Sequence, residues 1–310
     1  MRPLVPAIED LLQRKVTFMS DCVGEEVERE CREAKDGRVI LLENLRFHLA
    51  EEGKGVIDGN KVKAKPEDVA AFRKSLSSLG DVFVNDAFGT AHRAHSSMVG
   101  VDVETRAAGF LMAKELNFFS KVLESPERPL TVVMGGAKVK DKIPLIMNLI
   151  DIADEIIIGG GMAFTFNRVI DNIEIGDSLF DAEGAELVPQ ILQKAKDKGV
   201  KMHFPTDFMC ADKVAADANT ILRTEAQGIE KGWYGLDIGP ETMKNNSAVI
   251  ARAKTIFWNG PQGLFEMDPY AKGSLTMLDD IIKATKGGAT SVCGGGDTVA
   301  LLKKVKGAAN

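Results

Sequence analysis

The sequence predicts an α/β protein built on parallel sheets, and three observations carry that prediction. Short runs rich in Val, Ile and Phe alternate along the chain with stretches of helical apolar periodicity. Four of those runs end in glycine clusters that open the following segment: Gly135-Gly136, Gly159-Gly160-Gly161, Asn259-Gly260-Pro261 and Gly294-Gly295-Gly296. The 310 residues, 45% hydrophobic and 27% charged, suffice for two soluble globular domains of ordinary size. Strands alternating with helices imply a parallel sheet covered on both faces, with ligands bound outside the carboxyl ends of its strands.

The elements follow in order. Pro3 to Lys15 reads as a helix with Ile8, Leu11 and Leu12 on one face. Val16 to Ser20 reads as a strand, Val23 to Ala34 as a helix, and Arg38 to Leu42 as a strand running into Glu43-Asn44-Leu45-Arg46. Residues 49–65, polar and glycine-containing, read as a loop or small hairpin. Pro66 to Leu79 is a helix: Pro66 suits its first turn, Glu67 and Asp68 suit its dipole, and Val69, Phe72, Leu76 and Leu79 form its apolar stripe. Val82 to Val84 is a strand ending in Asn85-Asp86-Ala87-Phe88-Gly89, and Ala107 to about Leu123 is a long helix that carries the domain boundary. Beyond it, strands at Thr131–Met134, Ile156–Ile158, Thr255–Trp258 and Ser291–Cys293 meet the glycine clusters, and Val200–Phe204 is a strand without them.

Composition excludes several functions. A net charge of −6 argues against a nucleic-acid partner, because phosphate backbones are held by excess Lys and Arg. The cysteines Cys22, Cys31, Cys210 and Cys293 form no C-x-x-C pair, so neither a zinc site nor a disulfide framework is indicated. No apolar run reaches the length of a membrane span.

The chemistry concentrates at the glycine-ended strands. In Gly294-Gly295-Gly296-Asp297-Thr298 a helix start would aim backbone amides at a phosphate, with Asp297 able to hold Mg²⁺ or simply to cap the helix. In Gly135-Gly136-Ala137-Lys138-Val139-Lys140-Asp141-Lys142, Asp141 is expected to cap the next helix. Lys138 and Lys142 then stand beside a glycine turn where phosphate oxygens would meet them, although most lysines are simply solvated. Trp258 to Glu266 is a third such loop, in which Asn259 or Glu266 could bond a ribose or base. Neither a Walker A motif nor G-x-G-x-x-G is present, which disfavours a nicotinamide-dependent dehydrogenase. In the N-terminal half Arg46 and Arg93 each follow a strand end, as arginine forks for a phosphate or carboxylate would. His92 and His95 lack a third ligand nearby and read as hydrogen-bonding or phosphate-facing side chains.

Together these segments resemble phosphoglycerate kinase. Leu41 to His48, Asn85 to Ser97, Gly135 to Lys142, Gly159 to Phe166, Gly235 to Pro240, Trp258 to Glu266 and Gly294 to Thr298 stand in that family's order over nearly the whole chain. The resemblance implies two Rossmann-like domains with parallel sheets joined by an interdomain helix: 1–106, binding 3-phosphoglycerate; 107–124, the helix; and 125–310, binding nucleotide. It implies reversible phosphoryl transfer between 1,3-bisphosphoglycerate and MgADP, giving 3-phosphoglycerate and ATP, in a cytoplasmic monomer. Arg46 and Arg93 would grip the substrate's far phosphate. Lys138, with Gly295 and Gly296, would stabilise the transferring phosphoryl group; Lys142 would hold a nucleotide phosphate. Asp297 would ligate Mg²⁺, and Thr298 would add a phosphate donor. Gly136, Ala137, Gly160, Gly161, Gly235, Leu236, Pro261 and Leu264 would wall the adenosine pocket, with Asn259 and Glu266 as its polar contacts. The family's opening Arg-x-Asp-x-Asn stretch and its closing Ser-Thr-Gly-Gly-Gly segment have no counterpart between Met1 and Asn310. The N-terminal domain is therefore expected to be incomplete, with exposed apolar edges, and the chain to bind nucleotide without turnover, as a non-catalytic nucleotide-binding module would.

Overall fold

The computed structural model describes residues 1–305, so the final residues of the expected nucleotide domain, 306–310, lie outside the described residues. The chain divides into two compact units, Met1–Asn117 and Phe118–Asn310.

In the first unit, β1 (Val16–Phe18) pairs in parallel with β2 (Val39–Leu41). The strands β3 (Lys54–Ile57) and β4 (Asn60–Lys63) form an antiparallel hairpin. Its turn places Asp58 and Gly59 at φ 50° and 79°, the left-handed pair that a tight hairpin requires. A short helix, Leu49–Glu52, precedes that hairpin inside the stretch read as loop. The third pair, β5 (Val82–Asn85) with β6 (Thr105–Ala108), is again parallel. A small core of Cys22, Ala50, Phe72, Leu76 and Val101 holds these pieces, with Val69 and Leu79 of the predicted stripe packed against it. The helix supplying that stripe spans Pro66–Ser77 and starts on its proline.

Three expected helix boundaries shift here. Residues 107 and 108 do not begin the long helix; they complete β6, where Asn85 faces Ala108, and the helix spans Phe110–Leu123. Pairing overrides the helical preference of two alanines. Gly109 then makes the turn, where a Cβ would stand 2.3 Å from the Asp86 side chain, and Asp86 Oδ1 accepts from the Met112 amide at 2.9 Å. The first helix is shorter than predicted, Val5–Leu12, and buries nothing: Leu11 is 85% exposed and Leu12 48%. The second spans only Glu25–Arg32.

The second unit is built on a five-stranded parallel sheet, ordered β14-β13-β7-β8-β9, from β7 (Leu130–Met134), β8 (Glu155–Ile158), β9 (Lys201–His203), β13 (Thr255–Asn259) and β14 (Thr290–Gly294). Side chains alternate between two cores, as strands covered on both faces must. Val132, Met134, Ile156 and Ile158 enter one; Val133, Ile157, Ile256 and Trp258 enter the other. Ile146 and Ile150 of the helix Ile143–Ile150 join the first core, with Ile143 and Met147 packed against it. An antiparallel sheet, absent from the sequence reading, adds β10 (Asp207–Ala211), β11 (Thr220–Thr224) and β12 (Tyr234–Ile238) in the order β11-β10-β12. At the amino end of β8 the buried Glu155 accepts from Arg252 Nε at 2.7 Å and lies 2.7 Å from His203 Nε2. It thereby ties β8 to β9 and to the helix Pro240–Arg252.

Candidate functional site

Register puts the four glycine clusters at one edge. Met134 faces Asn259 on one side and Ile158 on the other, and Asn259 faces Gly294, so all four strands finish level. The loops then interlock through backbone. Gly135 donates to Asn259 O at 2.9 Å, Gly159 to Met134 O at 2.8 Å and Gly160 to Gln262 O at 3.1 Å. Glycine is required because the backbones nearly touch: a Cβ on Gly135 would lie 1.9 Å from Pro261 O, and one on Gly260 2.3 Å from Gly135 O.

Two adjoining hollows open over this edge. The larger, about 380 Å³, is mainly apolar and within the size range of small-molecule pockets. Gly160, Gly161, Gly235, Leu236, Pro261, Leu264 and Glu266 line it, so the structure brings together these residues that the resemblance assigned to an adenosine pocket. The antiparallel sheet adds Phe208 and Tyr234, and the helix Met162–Asp171 adds Phe164. The sequence reading missed these: Thr220–Thr224 alternates only between exposed and half-buried positions, and its sequence Thr-Ile-Leu-Arg-Thr carries no apolar–polar alternation that would mark a strand. The smaller hollow, about 190 Å³, is lined by Lys138, Lys142, Asn259, Gly295, Gly296 and Thr298 among others. Gly136, Ala137 and Asp297 line both.

Three side chains differ from expectation in the second hollow. Asn259 belongs to it and not to the apolar one, and its Oδ1 accepts from Lys142 Nζ. Thr298 is fully buried, and its hydroxyl accepts from the Gly260 amide at 2.7 Å, so the side chain seats a loop. Asp141 caps nothing: it sits in the short turn Lys140–Lys142, and the next helix starts after Lys142 with Pro144 in its first turn. Glycine at position 295, with φ 89°, starts the helix Gly296–Lys304 and leaves the Asp297 carboxylate exposed in the first turn. Burial lowers the pKa of Lys142, while Asp297 and Asp141 pull it back up. Lys138 is exposed at the mouth. Exposed carboxylates beside a phosphate-sized hollow, Asp297 and Asp141, are a donor set Mg²⁺ uses when phosphates supply its remaining oxygens.

Asp237, in β12, is a buried carboxyl at the floor of the apolar cleft. It accepts from the amides of Gly273 at 2.7 Å and Ile238 at 2.9 Å. Burial pushes its pKa up to about 7 against those two bonds.

In the first unit, Asn44 Oδ1 caps the turn Leu45–Phe47 by accepting from the Arg46 amide at 3.0 Å. The Arg46 guanidinium pairs with Glu52 at 3.0 Å. Arg93 and His92 are exposed, whereas His95 is buried, with Nδ1 3.9 Å from a Glu51 carboxylate oxygen, and does not face solvent as a phosphate-facing side chain would. Ligand atoms of Asp21, Cys22 and His48 come within 4.8 Å of one another. Asp21 and His48 are, however, hydrogen bonded at 2.6 Å. The buried Cys22 thiol has its pKa pushed up to about 12 by desolvation and the Asp21 charge, so the cluster is internally satisfied.

Comparison with known proteins agrees with this architecture. The family model described as phosphoglycerate kinase matches residues 1–310. The phosphoglycerate kinase of Sterkiella nova is 70% identical over 308 residues, which are 99% of this chain and 74% of that protein. That of Euplotes crassus is 60% identical over 308 residues, again 99% and 74%. The solved phosphoglycerate kinase from Coxiella burnetii superposes with a TM-score of 0.81 at 34% identity, covering 97% of this chain and 72% of that one. These likenesses run through both units and through every glycine loop described above, so the chain belongs to the phosphoglycerate kinase family.

Proposed function

We propose that the chain catalyses reversible transfer of the acyl-phosphate of 1,3-bisphosphoglycerate to MgADP, giving 3-phosphoglycerate and MgATP, and is not confined to the nucleotide binding without turnover expected from the sequence alone. The nucleotide occupies the two adjoining hollows of the second unit. The substrate's far phosphate is held by Arg46 and Arg93 of the first. The observation that carries the nucleotide half is the junction itself: an apolar cleft opens directly into a hollow lined by Lys138, Lys142, Asp297 and the start of a helix.

The base and ribose lie on Leu236, Pro261 and Leu264, with Glu266 at the rim for a ribose hydroxyl. Phosphates point toward the amides of Gly295 and Gly296, which the helix start leaves without intrahelical partners. Lys142, held by Asn259, meets a nucleotide phosphate. In the transfer, an ADP β-phosphate oxygen forms the new P–O bond as the bond between phosphorus and the acyl oxygen breaks. The electron pair leaves on the carboxylate of 3-phosphoglycerate, and no protein nucleophile is needed. The protein's contribution is position and positive charge at the moving phosphoryl group, supplied by Lys138 and the helix amides. Asp297 would hold Mg²⁺, which when bound offsets phosphate charge.

Among the described residues no helix is long and apolar enough to cross a membrane. We place the protein in the cytoplasm, as a monomer working on these small molecules. Calorimetry with MgADP and 3-phosphoglycerate tests the assignment. Lys142→Ala should weaken MgADP about tenfold or more, the loss of a charge-assisted bond. Arg93→Ala should weaken only 3-phosphoglycerate. Equal losses of both ligands in either variant would overturn the division of labour.

A further inference from the structure

The first unit holds a buried carboxylate that the proposed chemistry does not use. Glu51 is 4% exposed, on the short helix Leu49–Glu52 that follows the Arg46 turn. Its Oε2 accepts from the Ser97 amide at 2.9 Å, its Oε1 from the Ser97 hydroxyl at 2.5 Å, and His95 Nδ1 lies 3.9 Å away. All three partners belong to the segment just after Arg93. A second tie runs alongside, because the Ser96 hydroxyl donates to Ala50 O at 2.7 Å and accepts from Arg73 Nε at 3.1 Å. A carboxylate removed from water is costly unless its oxygens are fully matched, and a hydrophobic residue would fill such a site at least as stably. What the carboxylate adds is direction: it fixes one backbone amide and one hydroxyl at set positions.

We infer that Glu51 is a positioning residue for the substrate-phosphate site, joining the Arg46 turn to the Arg93 segment so that both guanidinium groups are presented together. The inference rests on the assignment of Arg46 and Arg93 to the substrate's phosphate. Each arginine sits at an exposed loop position with little of its own to hold it: Arg46 has the Asn44 cap and the Glu52 pair, and Arg93 has a turn bond from its amide to Thr90 O at 2.9 Å. A pair of arginines must meet one phosphate with both forks at once, so their relative placement governs affinity more than either charge alone. Glu51 and its neighbour Ala50 make the contacts that run directly from the helix after Arg46 to the residues after Arg93.

The test measures 3-phosphoglycerate and MgADP binding by calorimetry, with hydrogen exchange of residues 91–98, in Glu51→Ala and Glu51→Gln. Glu51→Ala is expected to accelerate exchange in that segment and to weaken 3-phosphoglycerate about tenfold while leaving MgADP unchanged. Glu51→Gln keeps one acceptor and is expected to restore affinity to within about threefold. Should Glu51→Ala fail to fold, Ser97→Ala removes the hydroxyl half of the tie and is expected to cost about threefold. Faster exchange with unchanged 3-phosphoglycerate affinity, or unchanged affinity in Ser97→Ala, overturns the inference. Arg93→Ala separates the two levels. If it weakens 3-phosphoglycerate and the Glu51 variants do not, only the positioning role falls; if it has no effect, or the unaltered chain binds no 3-phosphoglycerate, the assignment of the arginines falls first.

Discussion

Asp297 stands in the first turn of a helix, where a carboxylate is favoured by the dipole whether or not a metal is present. The two roles separate experimentally. Asp297→Asn should weaken MgADP binding strongly and metal-free ADP much less, and equal losses by calorimetry would leave only the helix-start role. Asp237 makes a pH-dependent contribution instead. Its pKa of about 7 lies above the unfolded value of 3.8, so the folded state holds the proton more tightly. That stabilisation is complete below about pH 4 and is lost as pH rises toward 7, each pH unit in the window being worth about 1.4 kcal/mol. Asp237→Asn should flatten this part of the stability curve in denaturant titrations between pH 4 and 7; an unchanged slope would show that the carboxyl is ionised throughout. At this scale the sequence displayed Lys138, Lys142 and Asp297, because their neighbours in the chain are the glycines that shape the loop. It could not display Asp237, whose burial depends on Gly273, a residue distant in sequence whose amide is brought against it.

Elements were legible where local pattern and tertiary pairing agree. The four glycine-ended strands are one sheet edge in fact, and the helix Pro66–Ser77 starts on its proline. They were illegible where pairing overrode propensity, as at Ala107 and Ala108, and where strands were short and half-exposed, as in β11. The tie at Glu155 was likewise hidden, since its partners Arg252 and His203 lie in two other elements distant in sequence. Arg252 and His203 hold its pKa down at about 2 despite burial. This stabilisation is present above about pH 4.5 and is lost as pH falls toward 2. Glu155→Gln should cost about 2 kcal/mol at neutral pH and remove that acid-sensitive component, by urea titration at pH 7 and pH 3. A variant equally sensitive to acid would assign the sensitivity to other carboxylates.

The two units differ in how much apolar material they bury. The first rests on one small cluster around Phe72, the second on two large ones on either side of its sheet. We take the division within the helix Phe110–Leu123 as the boundary between the substrate-binding and nucleotide-binding domains. Scanning calorimetry should then show two transitions. MgADP at a hundred times its dissociation constant should stabilise one of them by about 2.7 kcal/mol and leave the other in place. A single transition shifted as a whole would show that the units unfold together.

The contact between Gly135 and Gly260 has a consequence for how this protein can change. At most positions, tolerance to substitution depends on the character of the incoming side chain. Here the first carbon of any side chain already collides with a carbonyl oxygen, so every replacement is the same replacement. A saturation scan should therefore find both positions intolerant without regard to charge, size or polarity, while Lys142 and Asp297 show graded losses that follow chemistry. Drift in this lineage is free to retune the charges of Lys142 and Asp297 but not the interlocked backbone surface beside them.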